Sequence, residues 1–191
     1  MKTWILAAVL AGLLIEPASA ASIKLGKPGY GGNGCPAGTA SVSLSGSSLS
    51  VKFSSYRVAA GGSTGNSFDR EACGLSIPIT LPSGQAVAIV GADYSGFNNL
   101  PSGASSTFSV EQFLAGASGP KYTKTTNGPS KGKFSTSSDV PLAWSACGGS
   151  VTLRTQTSLI VKSPSGKAAS ASIRSQDVGT TIIYRLKFKG C

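Results

Sequence analysis

The chain of 191 residues contains no histidine and few acids: seven Asp and Glu stand against seventeen Lys and Arg, for a formal net charge of +10. Histidine is the usual base for a serine or cysteine nucleophile. Gly61-Gly62-Ser63-Thr64-Gly65 spells the GxSxG of a nucleophile elbow, yet nothing is present to take the serine proton, so a Ser-His-acid triad is excluded. Four cysteines without CxxC spacing or histidine make a poor zinc set, and no DxDxDG loop offers a calcium cage. No metal and no cofactor is expected. No segment is apolar over the roughly 20 positions needed to cross a bilayer, and none outside the first twenty residues has helical period.

Those first twenty residues read as an export leader. Lys2 supplies a short positive region, Ile5 to Ile15 are apolar apart from Gly12, and Ala18-Ser19-Ala20 gives the small-x-small pattern of a cleavage site. Glu16 and Pro17 break the run before it could act as an anchor. Cleavage is expected after Ala20, releasing a soluble protein to the periplasm or beyond. The expected organisation is a signal peptide at 1–20 and a single domain at 21–191. A domain of that size buries roughly 70% of its unfolded surface, enough for one good core.

Cys35, Cys73, Cys147 and Cys191 all lie beyond the leader, and an even count in an exported chain reads as two disulfides. Of the three possible pairings, Cys35 with Cys73 and Cys147 with Cys191 is favoured, because each pair staples a local substructure and the second ties down the C-terminus. Each closes a loop of about 40 residues, worth roughly 3 to 4 kcal/mol in the chain-entropy treatment.

Period-two alternation dominates the rest. Ala40, Val42 and Leu44, then Leu49, Val51 and Phe53 across the Ser45-to-Ser48 turn, make a hairpin. Leu75, Ile77, Ile79 and Leu81 alternate around Pro78, whose missing N–H places that strand at an edge or bulge. Ala86 to Tyr94 is nearly continuous in apolar residues and suits a strand covered on both faces. Phe108 to Leu114, Val140 to Cys147, Val151 to Val161, Ala168 to Arg174 and Ile182 to Lys189 are further strands, while Gly116 to Gly132 reads as a long loop. The expected fold is all-β, an antiparallel sandwich of jelly-roll or immunoglobulin-like type with about nine strands.

The segments Gly29-Tyr30-Gly31-Gly32-Asn33-Gly34-Cys35-Pro36-Ala37-Gly38-Thr39, Asp69-Arg70-Glu71-Ala72-Cys73, Asp93-Tyr94-Ser95-Gly96-Phe97, Trp144-Ser145-Ala146-Cys147-Gly148 and the terminal Cys191 together resemble an exported family of bacteria and fungi, the domain of unknown function numbered 4360. The likeness runs in order along nearly the whole chain after the leader. It implies export, a β-rich fold and disulfides, and carries over no catalytic residue.

Other motifs dissolve on inspection. Gly29 to Gly34 satisfies GxGxxG, but Cys35-Pro36 follows where a dinucleotide site needs a helix. Ser118-Gly119-Pro120-Lys121 matches SxxK with proline inside the turn that should be helical. Paired carboxylates remain an option, since glycoside hydrolysis needs only two, and Asp69 with Glu71, or Asp93, would supply them.

Two features point to binding. Arg185, Lys187 and Lys189 alternate with apolar Tyr184, Leu186 and Phe188, giving a basic stripe that Arg174 and Lys121, Lys124, Lys131 and Lys133 extend. The competing role for such lysines is protection of an edge strand. Asp93, Tyr94, Phe97 and Asn98 form a polar and aromatic cluster at the end of the central strand, and Trp144 is the one tryptophan left once the leader is removed. The reading that follows is an exported, non-enzymatic binding protein for an envelope or extracellular glycan or polyanion. Its binding residues are Asp93, Tyr94, Phe97, Asn98, Trp144, Arg174, Arg185, Lys187 and Lys189. Nucleic acid is not an expected partner of an exported chain, and the oligomeric state is left open. The alternatives are a carbohydrate-active hydrolase built on paired carboxylates and a secreted membrane-active effector or toxin.

Overall fold

The alternation read from the sequence becomes two antiparallel sheets packed as a sandwich. The structure is a computed structural model that describes residues 22–114, 119–174, 179 and 181–191. The leader expected at 1–20, the expected cleavage point, Ser118 and Asp177 lie outside these residues. The first sheet runs in the order β1 (Lys24–Leu25), β6 (Phe68–Leu81), β11 (Gly149–Lys162), β8 (Ser105–Leu114) and β9 (Lys121–Asn127), with β2 (Gly29–Gly31) also paired to β6. The second runs β3 (Ala40–Ser45), β4 (Ser48–Phe53), β13 (Ile182–Gly190), β7 (Gln85–Leu100), β12 (Ala169–Ser172) and β5 (Arg57–Ala60). On its other side β7 carries β10 (Ser130–Asp139).

Thirteen strands therefore stand among the described residues where turn spacing marked about nine. The short strands β1, β2 and β5, two to four residues each, are too brief to show an alternation, whereas β12 falls within the expected strand Ala168 to Arg174. Two assignments change. Gly116 to Gly132 is not one long loop: β9 and the start of β10 occupy most of it. As the outermost strand of its sheet, β9 buries no side chain fully, so threonine and lysine replace the apolar signal. Val140 to Cys147 is not a strand but an irregular segment beside β7, touching it through one bridge, Trp144 to Ala88, and a few single hydrogen bonds such as Ser145 N–H to Val87 O.

The inward faces interlock by chemistry as well as by shape. β6 buries Leu75, Ile77 and Ile79, and β8 buries Phe108 and Val110, but β11 sends the hydroxyls of Thr155 and Thr157 inward and β8 sends Gln112. Buried polar groups need partners, and the opposite layer provides tyrosines. Tyr184 on β13 meets Thr155 Oγ1 at 2.7 Å, Tyr94 on β7 donates to Gln112 Oε1 at 2.8 Å, and Tyr56, just before β5, meets Thr157 Oγ1 at 3.2 Å. Ser106 donates to Asn98 in the same manner. Burial pushes the Tyr94 hydroxyl up to about 12 and raises those of Tyr56 and Tyr184 further, so all three remain neutral hydrogen-bonding groups.

Pro78 sits where its missing donor does no harm. β6 is one strand in from the edge, but its outer neighbour is interrupted there: β1 ends at Leu25, β2 begins at Gly29, and between them Gly26 N–H donates to the Pro78 carbonyl. The glycine-rich stretch is explained by the same edge. After β2, Asn33 bonds the backbone of Arg70 and Ala72 with its side chain, and Cys35 joins Cys73. Gly34 lies against the Tyr56 ring, where an added Cβ would come within 2.5 Å. The second disulfide joins Cys147 to Cys191, as the favoured pairing requires.

Asp69 and Glu71 close the other edge. β5 is the last strand of the second sheet, and its outward N–H groups meet these side chains of β6: Ala59 N–H donates to Asp69 Oδ2 at 2.8 Å, and Arg57 N–H donates to the Glu71 carboxylate. Acids two apart on one strand thus cap amides two apart on the next. Burial raises the Glu71 pKa, and its Oε2 has no partner.

Two expectations follow. Tyr184→Phe leaves the buried Thr155 hydroxyl unpaired and is expected to lower stability by about 1–2 kcal/mol in urea unfolding, while adding Thr155→Val recovers most of the loss; an unchanged midpoint in the single variant would show that the bond does not stabilise. For Glu71 the raised pKa means that ionisation disfavours the folded state. Wild type should therefore gain stability relative to Glu71→Gln as the pH falls through the folded-state value toward that of an ordinary glutamate. Parallel stability-pH curves would contradict it.

Candidate functional site

Register decides which side chains share a face, because directly opposed residues on paired strands point the same way. On β13, Tyr184 and Leu186 face the core, and Arg185, Lys187 and Lys189 face out. Arg185 lies opposite Gly91, and beyond a bulge Lys187 lies opposite Ala88 and Lys189 opposite Ala86. Asp93 and Phe97 follow on the same side of β7. Trp144, bridged to Ala88, joins that face from the flanking segment. Six of the nine expected binding residues thus share the outer surface of the second sheet: Asp93, Phe97, Trp144, Arg185, Lys187 and Lys189. Tyr94 and Asn98 point the other way and are buried, at 0% and 1% exposure, with their polar atoms engaged inside the sandwich. Arg174 is half-buried just after β12, and it too has an interaction partner.

At one end of this surface Lys189 Nζ stands 4.4 Å from the centre of the Trp144 ring. Small residues make that approach possible: Ala86 and Ala88 form the floor and are fully covered. This accounts for the two-sided burial expected of this part of β7. The lysines are only partly explained by edge protection. β4 flanks β13 from Ile182 to Arg185, but Lys187 to Gly190 are paired to β7 alone.

Midway along the surface, Arg185 reaches across β7 to two acids. Its Nη1 is 2.5 Å from Asp93 Oδ1 and its Nη2 3.1 Å from Asp139 Oδ1 on β10. The route passes over Gly91, where an added Cβ would fall 2.2 Å from Nη2. Only a residue without a side chain lets the guanidinium through. Its hydrogen bond holds the Asp93 carboxyl below the usual aspartate value. With Asp69 and Glu71 on β5 and Asp93 on Arg185, the carboxylates that a hydrolase would draw on hold other groups.

The far end holds residues that the sequence did not bring together. Phe97 lies opposite Lys133 of β10 on one side and Ser172 of β12 on the other, and Ser172 lies opposite Arg57 of β5. One row up, Lys131 flanks Asn99 and Ser170. The alternation of Lys131, Lys133, Ser135, Ser137 and Asp139 was visible as a period of two, but nothing in one sequence ties it to Phe97 or Arg57.

A cavity of about 620 Å³ is lined by Ile89, Phe113, Leu114, Val140 and Val151 among others. Two of its polar residues are committed, since Gln112 accepts from Tyr94 and Ser145 Oγ accepts Val87 N–H and donates to Ala146 O, while Ser150, Thr152 and Trp144 also line it. Residues 115–118, between the lining residues Leu114 and Gly119, lie outside the described set. The outer face, on which six of the expected residues converge, is the stronger candidate, and Trp144 borders both it and this cavity.

Comparison with known proteins gives likenesses of three kinds. The family described as Domain of unknown function (DUF4360) matches residues 21–191. An "Uncharacterized secreted protein" of Arthroderma benhamiae is 30% identical over 138 residues, 68% of this chain, which spans 56% of that relative's length. A solved structure of TmCBM61 in complex with beta-1,4-galactotriose matches at 9% identity with a TM-score of 0.31, covering 86% of this chain and 88% of the other. A TM-score that low bears on neither the site nor its ligand.

Gly91→Ala is expected to displace Arg185 and return Asp93 toward the ordinary aspartate pKa, read by carboxyl NMR titration. A depressed carboxylate contributes stability that is present above its unfolded-state pKa and lost as pH falls through the folded-state value. The variant should therefore lack that contribution at neutral pH and show a flatter loss in acid. An unmoved Asp93 titration would mean that Arg185 does not depend on the glycine.

Proposed function

Because the chain belongs to the family described as Domain of unknown function (DUF4360), with the match opening at the residue after the expected cleavage point, we propose that it is an exported binding protein. Its ligand is an envelope or extracellular glycan or polyanion, held without covalent chemistry on the outer face of the second sheet. The leader at residues 1–20 and the fungal relative described as secreted support export. No helix among the described residues is long and apolar enough to cross a membrane.

The observation that carries the reading is the Trp144 ring set beside Lys189 on a floor of alanines. An indole offers an apolar plane on which the C–H face of a sugar ring packs, with a donor N–H at its edge. Lys187 and Lys189 add positive charge within reach of an acidic substituent. A tryptophan that served only the core would sit inside the sandwich, among Tyr94, Tyr184 and Phe108; Trp144 lies outside it, across the sheet from them.

Trp144 also reports on its own site, since removal of residues 1–20 leaves no other tryptophan. Titration with acidic polysaccharides and neutral oligosaccharides at moderate salt is expected to change the tryptophan emission. Lys189→Ala should weaken the acidic ligands, and Trp144→Ala should weaken both kinds in calorimetry. If no ligand of either kind alters emission or releases heat, the binding reading falls.

A further inference from the structure

The outer face continues well beyond Trp144, and its two ends are alike in kind. From Ala88, where Trp144 is bridged, to Phe97 is nine residues of β7, about 30 Å of extended strand. At the near end an aromatic ring is accompanied by Lys187 and Lys189. At the far end Phe97, half-buried, is flanked by exposed Lys133 and Arg57, which lie on strands three steps apart, about 14 Å across the sheet. Between the ends the face is hydroxyl-rich: Ser95 on β7, Ser135 and Ser137 on β10, and Ser48 and Ser50 on β4. Two acids interrupt it, Asp93 and Asp139, and Arg185 is paired with both.

We propose that this face is a track for a single linear anionic polysaccharide, running along β7 from the Trp144 end to the Phe97 end. The inference rests on the binding role assigned to Trp144 and adds the class of ligand, its direction and a second contact. A linear polymer fits because the platforms lie along one strand direction and are too far apart for one small sugar to touch both. An anionic one fits because exposed cations border each aromatic group and the rows through Phe97 and Asn99 contain no carboxylate. A polysaccharide fits better than a nucleic acid or a peptide. Serine hydroxyls and the Asn99 amide suit the hydroxyls of sugars, and two rings about 30 Å apart cannot stack the successive bases of a single strand.

The test uses the chain without residues 1–20 and oligogalacturonates of two lengths, a trimer and a decamer, with neutral galacto-oligomers of the same lengths as controls. The decamer should bind about tenfold tighter than the trimer, because engaging one end raises the effective concentration at the other. Lys133→Ser with Arg57→Ser, both exposed and outside the core, should reduce the decamer to trimer affinity and leave the trimer unchanged. Trp144→Ala should weaken both lengths. Raising the salt should erode the decamer advantage first. Equal affinity for the two lengths, or a decamer indifferent to the double substitution while Trp144→Ala still weakens binding, would overturn the track and leave the Trp144 site standing. Failure of every oligomer, acidic and neutral, to bind would remove both.

Discussion

The hydrogen bonds that tyrosines make across the interior hold the rest of the molecule in its register. Tyr184, Tyr94 and Tyr56 each leave one layer and end on Thr155, Gln112 or Thr157 of the other. Packed sheets stand about 10 Å apart, and tyrosine spans that gap with an apolar ring in the middle and a polar atom only at its tip. Apolar contact alone would tolerate a sliding or rotated pairing of the two sheets. A buried hydroxyl left without its partner would not, since each such vacancy costs about 1–3 kcal/mol. A one-residue slip of β11 would carry Arg154 and Gln156 inward and strand Tyr184 and Tyr56 at once. The outer faces inherit their arrangement from this constraint, because every residue that points in fixes its neighbours to point out.

That coupling explains what could be read from the sequence and what could not. The alternation of Leu75, Ile77, Ile79 and Leu81, and that of Tyr184 and Leu186 with the basic residues between, is a local signal set by the pleat. The disulfide pairing was legible too, since both bridges close local loops. The polar side of the core was not. Thr155 and Thr157 look like ordinary polar residues in a strand until Tyr184 and Tyr56 are placed against them, and those partners lie 29 and 101 residues away in sequence. Tyr94 and Asn98 looked available for a ligand for the same reason: the groups that satisfy them, Gln112, Ser138 and Ser106, belong to other strands. β9 escaped notice because an edge strand with one buried flank needs little apolar character.

The carboxylates carry a similar lesson. A chain with few acids invites the thought that each has a chemical task, and Asp69 and Glu71 are spaced to share one side of a strand. They do share it, but what they meet is the free edge of β5. A bare edge is a template for unwanted pairing, and here side-chain oxygens two residues apart stand in for the carbonyls of a missing strand. Asp93 is committed differently, to an arginine that reaches it only because Gly91 clears the way.

The assembly of the Trp144 end depends on a covalent bond more than on the contact it displays. A lysine beside an aromatic ring near the surface contributes only about 0.5–1 kcal/mol, too little to fix the segment from Val140 to Gly148, which touches β7 through one bridge and single hydrogen bonds. The Cys147–Cys191 disulfide supplies what those contacts lack. It joins the residue three positions after Trp144 to the residue two positions after Lys189, so the two partners of the platform are held across β7 from both flanks. The Cys191 N–H also donates to the Gly84 carbonyl, and the Gly148 N–H to that of Gln85, which anchors both cysteine-bearing ends on the start of the same strand. A disulfide of this kind forms and persists in oxidising compartments. The compartment expected from the first twenty residues and the geometry of the Trp144 end are therefore linked: the bridge that orders Trp144 against Lys189 needs the oxidising conditions that an exported chain would meet.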